Sequence, residues 1–587
     1  MSTPDPVKLA LTQNQLDEIS RQMAWVMVQT ARSTVFSLSH DFSCFVSDEE
    51  GVLISQADGC PIHTGCGGIA LQALLDAFDD DIQEEDVFLL NDPYVAGGNH
   101  LADWVIARPV FQEGYRVGFC CNRAHQSDIG GGAAGTFNPE ATEIWHEGIR
   151  LPPLKIIEQG ETREDLWQLL LLNCRTPELL DGDLRAMLGS TRIGMQRLQA
   201  IVAELGVEQA RQCFDGILEH GDRMFRACVS ALPDGTYHGE DWTENDCFED
   251  IRTPIKVAVT IDGDEVHVDF EGTGPQMRGF KNSSPANTQS AVYMGLKSFF
   301  DDDLPHNEGV FRGVSINMPL GSAINPRPPA PTSNGTIVIA QHIVHAVWMA
   351  LGKAAPELAC AGWGRSVHPT MATRDETRDK NCIVYHFQAM PGGGAVKGRD
   401  GFCQVGHLSA LGGLFIPNVE PYEQLYPIRF ERQELRCDGG GPGEFRGGPG
   451  VDYEVTTHYP STMHFRSEGI GPPSGFGAVG GGAGEGGYME VIEESGTRDV
   501  PPPFSTRHYN RCVFHALSPG GGGFGHPWRR DPESVVRDVK DGLVSLAKAR
   551  DVYGVVMTDD GCVDDMATGE QRARLSREAS NTDLTIA

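Results

Sequence analysis

The sequence contains no run of eighteen uncharged apolar residues, so nothing in it reads as a transmembrane helix. It has no run of Lys/Arg longer than three residues, and 47 Lys+Arg stand against 81 Asp+Glu for a net charge of −34. A nucleic-acid binder gathers positive charge on one face. That class is excluded, and so is attachment to an anionic membrane surface. The 15 Cys include no C-x-x-C pair, and their only tight cluster is Cys120–Cys121. Zinc-finger and dithiol-redox spacings are therefore missing, and scattered thiols fit a reducing compartment. The start, MSTPDPVKLALTQNQ, has no basic segment leading into an apolar one, so a cytoplasmic location is expected. Also missing are G-x-x-x-x-G-K-[ST], G-x-S-x-G and H-E-x-x-H. If ATP is used, another chain binds it.

What is present is a long chain of 587 residues, 40% apolar, enough for two to four lobes. Apolar spacing predicts a helix over 11–32 with a Thr12/Gln15 capping box and a hairpin over 35–55. Further helices fall at 68–78, through 164–231, at 286–302, 335–352 and 531–554. Alternation marks hairpins around Gln112-Glu113-Gly114 and Asp262-Gly263-Asp264. The expected class is mixed α+β, multi-lobed, with several hairpin-rich sheets, packed helices and no Rossmann or P-loop domain. The expected organisation is an α/β lobe at 1–160 and a helical segment at 161–235. A hairpin-plus-helices lobe at 236–360, a Gly-rich β lobe at 361–570 with a closing helix, and a loose tail at 571–587 complete it. The G-x-G-x-x-G at Gly482, Gly484 and Gly487 precedes a strand instead of a helix, so it reads as a loop and not as a dinucleotide site. SPGGGGFGHPWRRDP (518–532) reads as a tight turn that lets two segments pass closely. Backbone amides at the start of the helix that follows could instead hold an anion.

The chemistry concentrates in GGNHLADWVIARPVF (97–111) and NRAHQSDIGGG (122–132). Two strands paired through the turn near Gly114 bring His100 and His125 to one open end, given a strand spacing of about 4.8 Å. Asp103 shares that end if the chain enters the strand through a turn, and Asp41 in SHDFSCF begins another strand. Imidazoles and carboxylates in this pattern suit zinc, manganese or iron. They equally suit strand-end contacts between His and Asp, and spacing alone leaves both readings open. Asp128 reads as a cap before Gly130-Gly131-Gly132, or as support behind the site. His40 and His63 read as ordinary polar contacts that could face the same end. Glu147 in IWHEGIRLPP reads as a salt-bridge partner or an acid/base.

Around these residues the chain resembles a known family. FLLNDPYVAGGNHLADWVIARPVF, NRAHQSDIGG, ATEIWHEGIRLPPLKI, VDFEGTGPQMRGFKNSS and SPGGGGFGHPWRRDPESVVRDVKDGLVS are similar to the hydantoinase B family. That family comprises B-type subunits of ATP-dependent hydantoinases, 5-oxoprolinases and caprolactamase, with ketone carboxylases more distant. The resemblance runs from about residue 10 to 555. It implies a metal motif of H-x-x-D and a later His at His100, Asp103 and His125, with Asp41 from the D-F-S block. Asp41, Asp103 and His125 carry the implied catalytic roles. Many members carry a second His where this chain has Gln126, so that neighbour's role in proton transfer does not transfer here.

The implied cofactor is one divalent metal, zinc first and manganese as the alternative. The implied partner is an A-type subunit of the acetate/sugar-kinase fold that uses ATP and Mg to phosphorylate the substrate or bicarbonate. The pair is expected to double into a heterotetramer. The implied activity is opening of a lactam, hydantoin or oxoproline-like ring. The alternative is a subunit of an acetone- or acetophenone-type ketone carboxylase, although such subunits are generally longer. A third reading, a non-catalytic scaffold, has no use for the His/Asp set.

Overall fold

The structure, a computed structural model, describes residues 5–56, 59–78, 81–300 and 303–583. Four separate sheets with helices packed on them give the α+β class that the sequence predicts. The first sheet contains β1 (Phe42–Ser47), β2 (Leu53–Gln56), β3 (Val87–Leu90), β4 (Asp103–Gln112), β5 (Tyr115–His125), β6 (Leu154–Glu158) and β7 (Glu161–Thr162). Its order is β2-β1-β5-β4-β3-β6-β7, and its neighbours are antiparallel. Gln112 pairs with Tyr115 across a two-residue turn. Glu113 and Gly114 there both have positive φ (53° and 81°), the backbone of a hairpin turn matched to strand twist.

This sheet is covered on both faces, which is why β1, β3 and the site end of β4 are buried throughout. Trp104, Ile106, Cys120 and Ala124 join the core beneath α1 (Pro6–Thr30) and α6 (Pro177–Leu205). Val105, Ala107, Phe119 and Cys121 face the other way and pack with Leu71 and Leu74. The short helices α2 (Thr34–Ser37) and α3 (Pro61–Thr64) lead into β1 and into α4 (Gly67–Phe78), which carries those leucines. The helical stretch continues as α5 (Glu164–Leu172), α6 and α7 (Val207–Val229).

The second sheet, ordered β11-β10-β9-β8, comprises β8 (Gly235–Thr243), β9 (Thr253–Asp262), β10 (Glu265–Asp269) and β11 (Val314–Asn317). Next to it lie α8 (Pro285–Lys297) and the buried α9 (Val338–Ala354). The third sheet is β13 (Lys380–Tyr385), β12 (Thr370–Asp375), β16 (Ser461–Arg466) and β19 (Phe504–Tyr509) in that order. The fourth is β14 (Ile428–Leu435), β15 (Val451–Thr457), β20 (Cys512–Leu517), β17 (Tyr488–Glu493) and β18 (Arg498–Asp499). The last two sheets share a core of Met371, Val384, Tyr453, Phe465 and Phe514, with α10 (Val419–Leu425) alongside.

The Gly-rich segments are structural. Gly448 donates to the Gly393 carbonyl, Gly521 to Gly448 and Gly441 to Gly521. A Cβ at Gly448 or Gly521 would overlap the backbone oxygen of Phe402 or Gly393. The close passage expected at 518–532 is therefore what these glycines permit.

Three local readings need correction. The first helix starts at Pro6, and its cap is Asp5, whose side chain accepts from Val7 N; the Thr12 hydroxyl bonds back to Lys8 O instead. Proline at the first helical position has no N–H to lose and pre-sets φ. The helix expected over 531–554 is two, α11 (Pro532–Lys540) and α12 (Leu546–Asp551), split at Gly542, whose φ is 73°. Where a loose tail is expected, α13 spans Asp565–Asp583. It is anchored by Arg572, which donates to the Tyr553 and Arg530 carbonyls. Residues 584–587 lie outside the described residues.

One buried ion network is invisible in the sequence. Asp241 on β8 accepts from His342 Nδ1 (2.8 Å), His345 Nδ1 (3.2 Å) and Arg365 Nη2 (3.0 Å). Glu468 accepts from Lys281 Nζ (2.7 Å) and His342 Nε2 (3.1 Å). His342 thus donates from both nitrogens, which requires the imidazolium. Burial alone would lower its pKa, but Asp241 raises it. His345 accepts from Trp363 N and is neutral, its pKa lowered by burial.

Candidate metal centre

The first sheet delivers three acidic or imidazole side chains from adjacent strand ends. Asp103 at the start of β4 pairs directly with His125 at the end of β5. His125 N in turn donates to the carbonyl of Asp41, which precedes β1. Asp103 and His125 share the face of Val105 and Cys121, the α4 side, because directly paired residues project the same way. His100 lies in the turn entering β4, and Asp103 N donates to its carbonyl. The open end expected from the hairpin is therefore real.

Asp103 is the hub. Its Oδ1 lies 2.9 Å from His100 Nε2 and 3.2 Å from His125 Nδ1. Its Oδ2 accepts from Asn99 Nδ2 at 2.6 Å and lies 3.3 Å from His63 Nε2. His63 also lies 3.7 Å from Asp41 Oδ1, and the Cys60 thiol points at that oxygen from 3.6 Å. Two adjoining groups result, His100–Asp103–His125 and Asp41–Cys60–His63, each with ligand atoms within 4.8 Å of one another. Asp41 thus sits closer to His63 than to the His100 group. His63, read as an ordinary polar contact that could face this end, does face it and is the third imidazole here. No spacing rule could find it, because it arrives on α3, far from the hairpin in sequence.

The cavity is about 40 Å³, room for a few waters. Besides these residues, Phe137, Ile337, Tyr385, Phe387, His407 and Arg466 line it. Tyr385 ends β13 and Arg466 ends β16, so the third sheet closes over the end of the first.

The electrostatics follow from burial. Burial is the largest influence on Asp103 and pushes its carboxyl up. The charges of His100 and His63 and the hydrogen bonds outweigh it, leaving the group well below the usual carboxylate range. Burial likewise pulls His100 down, but Asp103 brings it back above the ordinary imidazole value.

The residues fit a divalent metal on three counts. Two ligand atoms on a tetrahedral ion at about 2.0–2.2 Å lie roughly 3.3 Å apart, close to the 2.9 and 3.2 Å found here. His100 Nδ1 lies 2.7 Å from the Ser333 carbonyl. A carbonyl only accepts, so Nδ1 carries a proton, and Nε2, which donates to Asp103 without a metal, would give its lone pair to an ion bound there. This is the outer-sphere support that metal-bound imidazoles use. His125 has the same arrangement, with Nε2 on Thr136 Oγ1 (3.2 Å), Thr136 on the Tyr385 hydroxyl (3.1 Å), and that hydroxyl donating to Gly135 O (2.8 Å).

The remaining candidates lie off the cavity. Glu147 makes no salt bridge among the described residues. Its carboxylate accepts from Thr332 N and Ser333 N (2.9 and 2.7 Å), and burial pushes its pKa up to about 7 against those bonds. It holds the turn whose carbonyl orients His100. Glu147→Gln, which can offer one good acceptor instead of two, is expected to weaken metal affinity about 10–100-fold with the fold intact. Competition with a chromogenic chelator measures this, and unchanged affinity would count against it. Asp128 is the predicted cap, accepting from Gly135 N and from Arg175 N and Nη1, which fixes the loop carrying Thr136. His40 packs on Phe415 at 4.5 Å, outside the cavity lining. Gln126 alternates to the opposite face and reaches Met187 of α6.

The profile of the hydantoinase B/oxoprolinase family matches residues 5–527. The chain belongs to that family. It is 36% identical over 591 residues to the beta subunit of caprolactamase from Pseudomonas jessenii, covering 98% of this chain and 100% of that one. It is 29% identical to the B-type subunit of a putative D-/L-hydantoinase from Pseudomonas sp. strain NS671, over 97% of this chain and 98% of the relative. The crystal structure of the ATP-dependent caprolactamase from P. jessenii superposes with a TM-score of 0.90 at 35% identity, covering 97% of this chain and 100% of that chain. A nucleotide-free acetone carboxylase structure shares the fold, with a TM-score of 0.89 at 20% identity over 98% of this chain and 84% of that one.

Proposed function

We propose that this family member is the metal-binding B-type subunit of an ATP-dependent cyclic-amide hydrolase, acting with a separate ATP-binding A-type subunit in the cytoplasm. The observation that carries the reading is the buried His100–Asp103–His125 cluster. It lies in a chain similar along its whole length to the beta subunit of a caprolactamase. His100 Nε2, Asp103 Oδ1 and His125 Nδ1 are assigned to a divalent ion, zinc first and manganese as the alternative. His63 and Asp41 stand beside it. When bound, the ion supplies Lewis-acid polarisation of a carbonyl or phosphoryl oxygen.

The chain's own residues do the rest. Opening an unstrained amide ring needs activation by ATP, and an activated phosphate is lost to bulk water. Phe137, Ile337, Tyr385 and Phe387 wall the cavity against that loss. Asp41, the least buried carboxylate of the set, with a side chain 17% exposed, is placed to take the proton of the attacking water. His63 Nε2, between Asp41 and Asp103, is placed to return it to the leaving amine nitrogen. The thread Thr136–Tyr385 holds the His125 ring still.

The isolated chain is expected to turn over neither ATP nor a lactam, and to do both with an A-type partner in a complex that survives dilution. Lactam-dependent ADP release without retained bicarbonate carbon identifies the hydrolase. Fixed label would instead assign a ketone-carboxylase role, and robust turnover by the isolated chain would overturn the partnership.

A further inference from the structure

A cation with no salt bridge among the described residues lines the same cavity, where Asp41 is the carboxylate whose charge it feels. Arg466 is buried, 1% exposed. Its Nη2 donates to His368 Nε2 at 3.1 Å, and His368 Nδ1 faces Ser366 Oγ at 2.8 Å. His368 is therefore a neutral acceptor, held well below its ordinary value by burial first and by the Arg466 charge second. It cannot balance the guanidinium. The Nε and Nη1 donors of Arg466 have no hydrogen-bond partner among the described residues. Buried Arg365, by contrast, is paired with Asp241 and Glu244. Burial lowers the Arg466 pKa only to about 10, so it stays charged at neutral pH.

The placement is specific. The guanidinium carbon lies 3.8 Å from the centre of the Phe137 ring, and that ring stacks on His125 at 5.5 Å and 18°. His407, whose Nε2 is also unpaired, lines the same wall. A buried charge without a salt bridge is costly to keep. A guanidinium with unpaired N–H donors is a group suited to receive the oxygens of a carboxylate or phosphoryl group.

We propose that Arg466, backed by Phe137 and flanked by His407, is the oxyanion receptor of this cavity, taking the phosphoryl or carboxylate group of the species that reacts there. The inference deepens the proposed function and rests on it for the reaction the anion serves. The anion-binding claim itself does not need the metal. The shared chemistry has three sources: a phosphorylated substrate, a bicarbonate-derived group or the product carboxylate.

The test titrates the full-length chain, zinc-loaded and zinc-stripped, with inorganic phosphate, bicarbonate and acetate by calorimetry. The wild type is expected to bind at least one of them. Arg466→Met should weaken that binding at least about tenfold in both metal states, the scale of lost charged hydrogen bonds. Arg466→Lys should recover part of it. Zinc content should not change in either variant. The anion that depends on Arg466 names the source. If the wild type binds none of the three, or if Arg466→Met binds as tightly, the proposal is overturned. If Arg466→Met does not fold, Arg466→Lys decides: affinity equal to wild type overturns the proposal, and a weakened one upholds it. Failure of the metal reading looks different, as a zinc content near zero with anion binding still sensitive to Arg466.

Discussion

His100→Ala, assembled with an A-type subunit, is expected to lose its bound divalent metal and at least about 100-fold in turnover. The reason is geometric. His100 Nε2 lies 2.9 Å from Asp103 Oδ1, nearer than His125 Nδ1 at 3.2 Å, and its other nitrogen is held by the Ser333 carbonyl at 2.7 Å. Alanine removes one of three donors and leaves that carbonyl and the Asp103 carboxylate facing a hole. The change also separates two contributions to stability. Added zinc should raise the unfolding temperature of the wild type, since a ligand at 100 times its Kd contributes about 2.7 kcal/mol, and should not move the variant. Elemental analysis and a thermal melt with and without zinc measure both effects. Retention of metal and turnover by His100→Ala would reduce the cluster to strand-end contacts.

The second large effect lies away from the site. Asp241→Asn is expected to destabilise the fold by about 3–5 kcal/mol, the usual cost of leaving a buried charge without its partner. Here Arg365 and the His342 imidazolium lose that partner. The pH dependence should change as well. Burial pushes the Asp241 carboxyl up, but His342 and Arg365 hold it well below its ordinary value. Its contribution is therefore full above the unfolded carboxylate value of about 4 and is lost as pH falls. The raised pKa of His342 gives a contribution that is full below about 6.5 and is lost as pH rises through its folded value. Wild-type stability should peak between these limits, and the variant's profile should be flatter. Urea midpoints from acid to mildly alkaline pH test this. A variant within about 1 kcal/mol of wild type at neutral pH would show the network to be dispensable.

Much of this site is legible before any fold. The hairpin about Gly114 follows from alternation and a two-residue turn. That turn alone would set Asp103 opposite Ala124; the bulge between Val110 and Phe111 shifts the register by one and brings His125 opposite instead, which the sequence pattern does not record. The same period of two explains Gln126. One step past His125 the Gln126 side chain turns to the α6 face and does not reach the centre. The role of Glu147 escapes a reading of the sequence because its partners, Thr332 N and Ser333 N, lie far along the chain.

By itself the sequence determined the α+β class and the family, and it marked the hairpin and His100, Asp103 and His125 as candidates within or beside it, because each depends on local periodicity or on residues close in the chain. Only the tertiary structure decided that His63 joins Asp103, that Glu147 orients His100 through a turn, and that Asp241, His342, Arg365 and Glu468 form one ion network. It also decided that Arg466 stands in the cavity with donors to spare. These contacts join residues tens to hundreds of positions apart. They form only when separate sheets and helices close on one another and exclude water, and no spacing along the chain records where that closure falls.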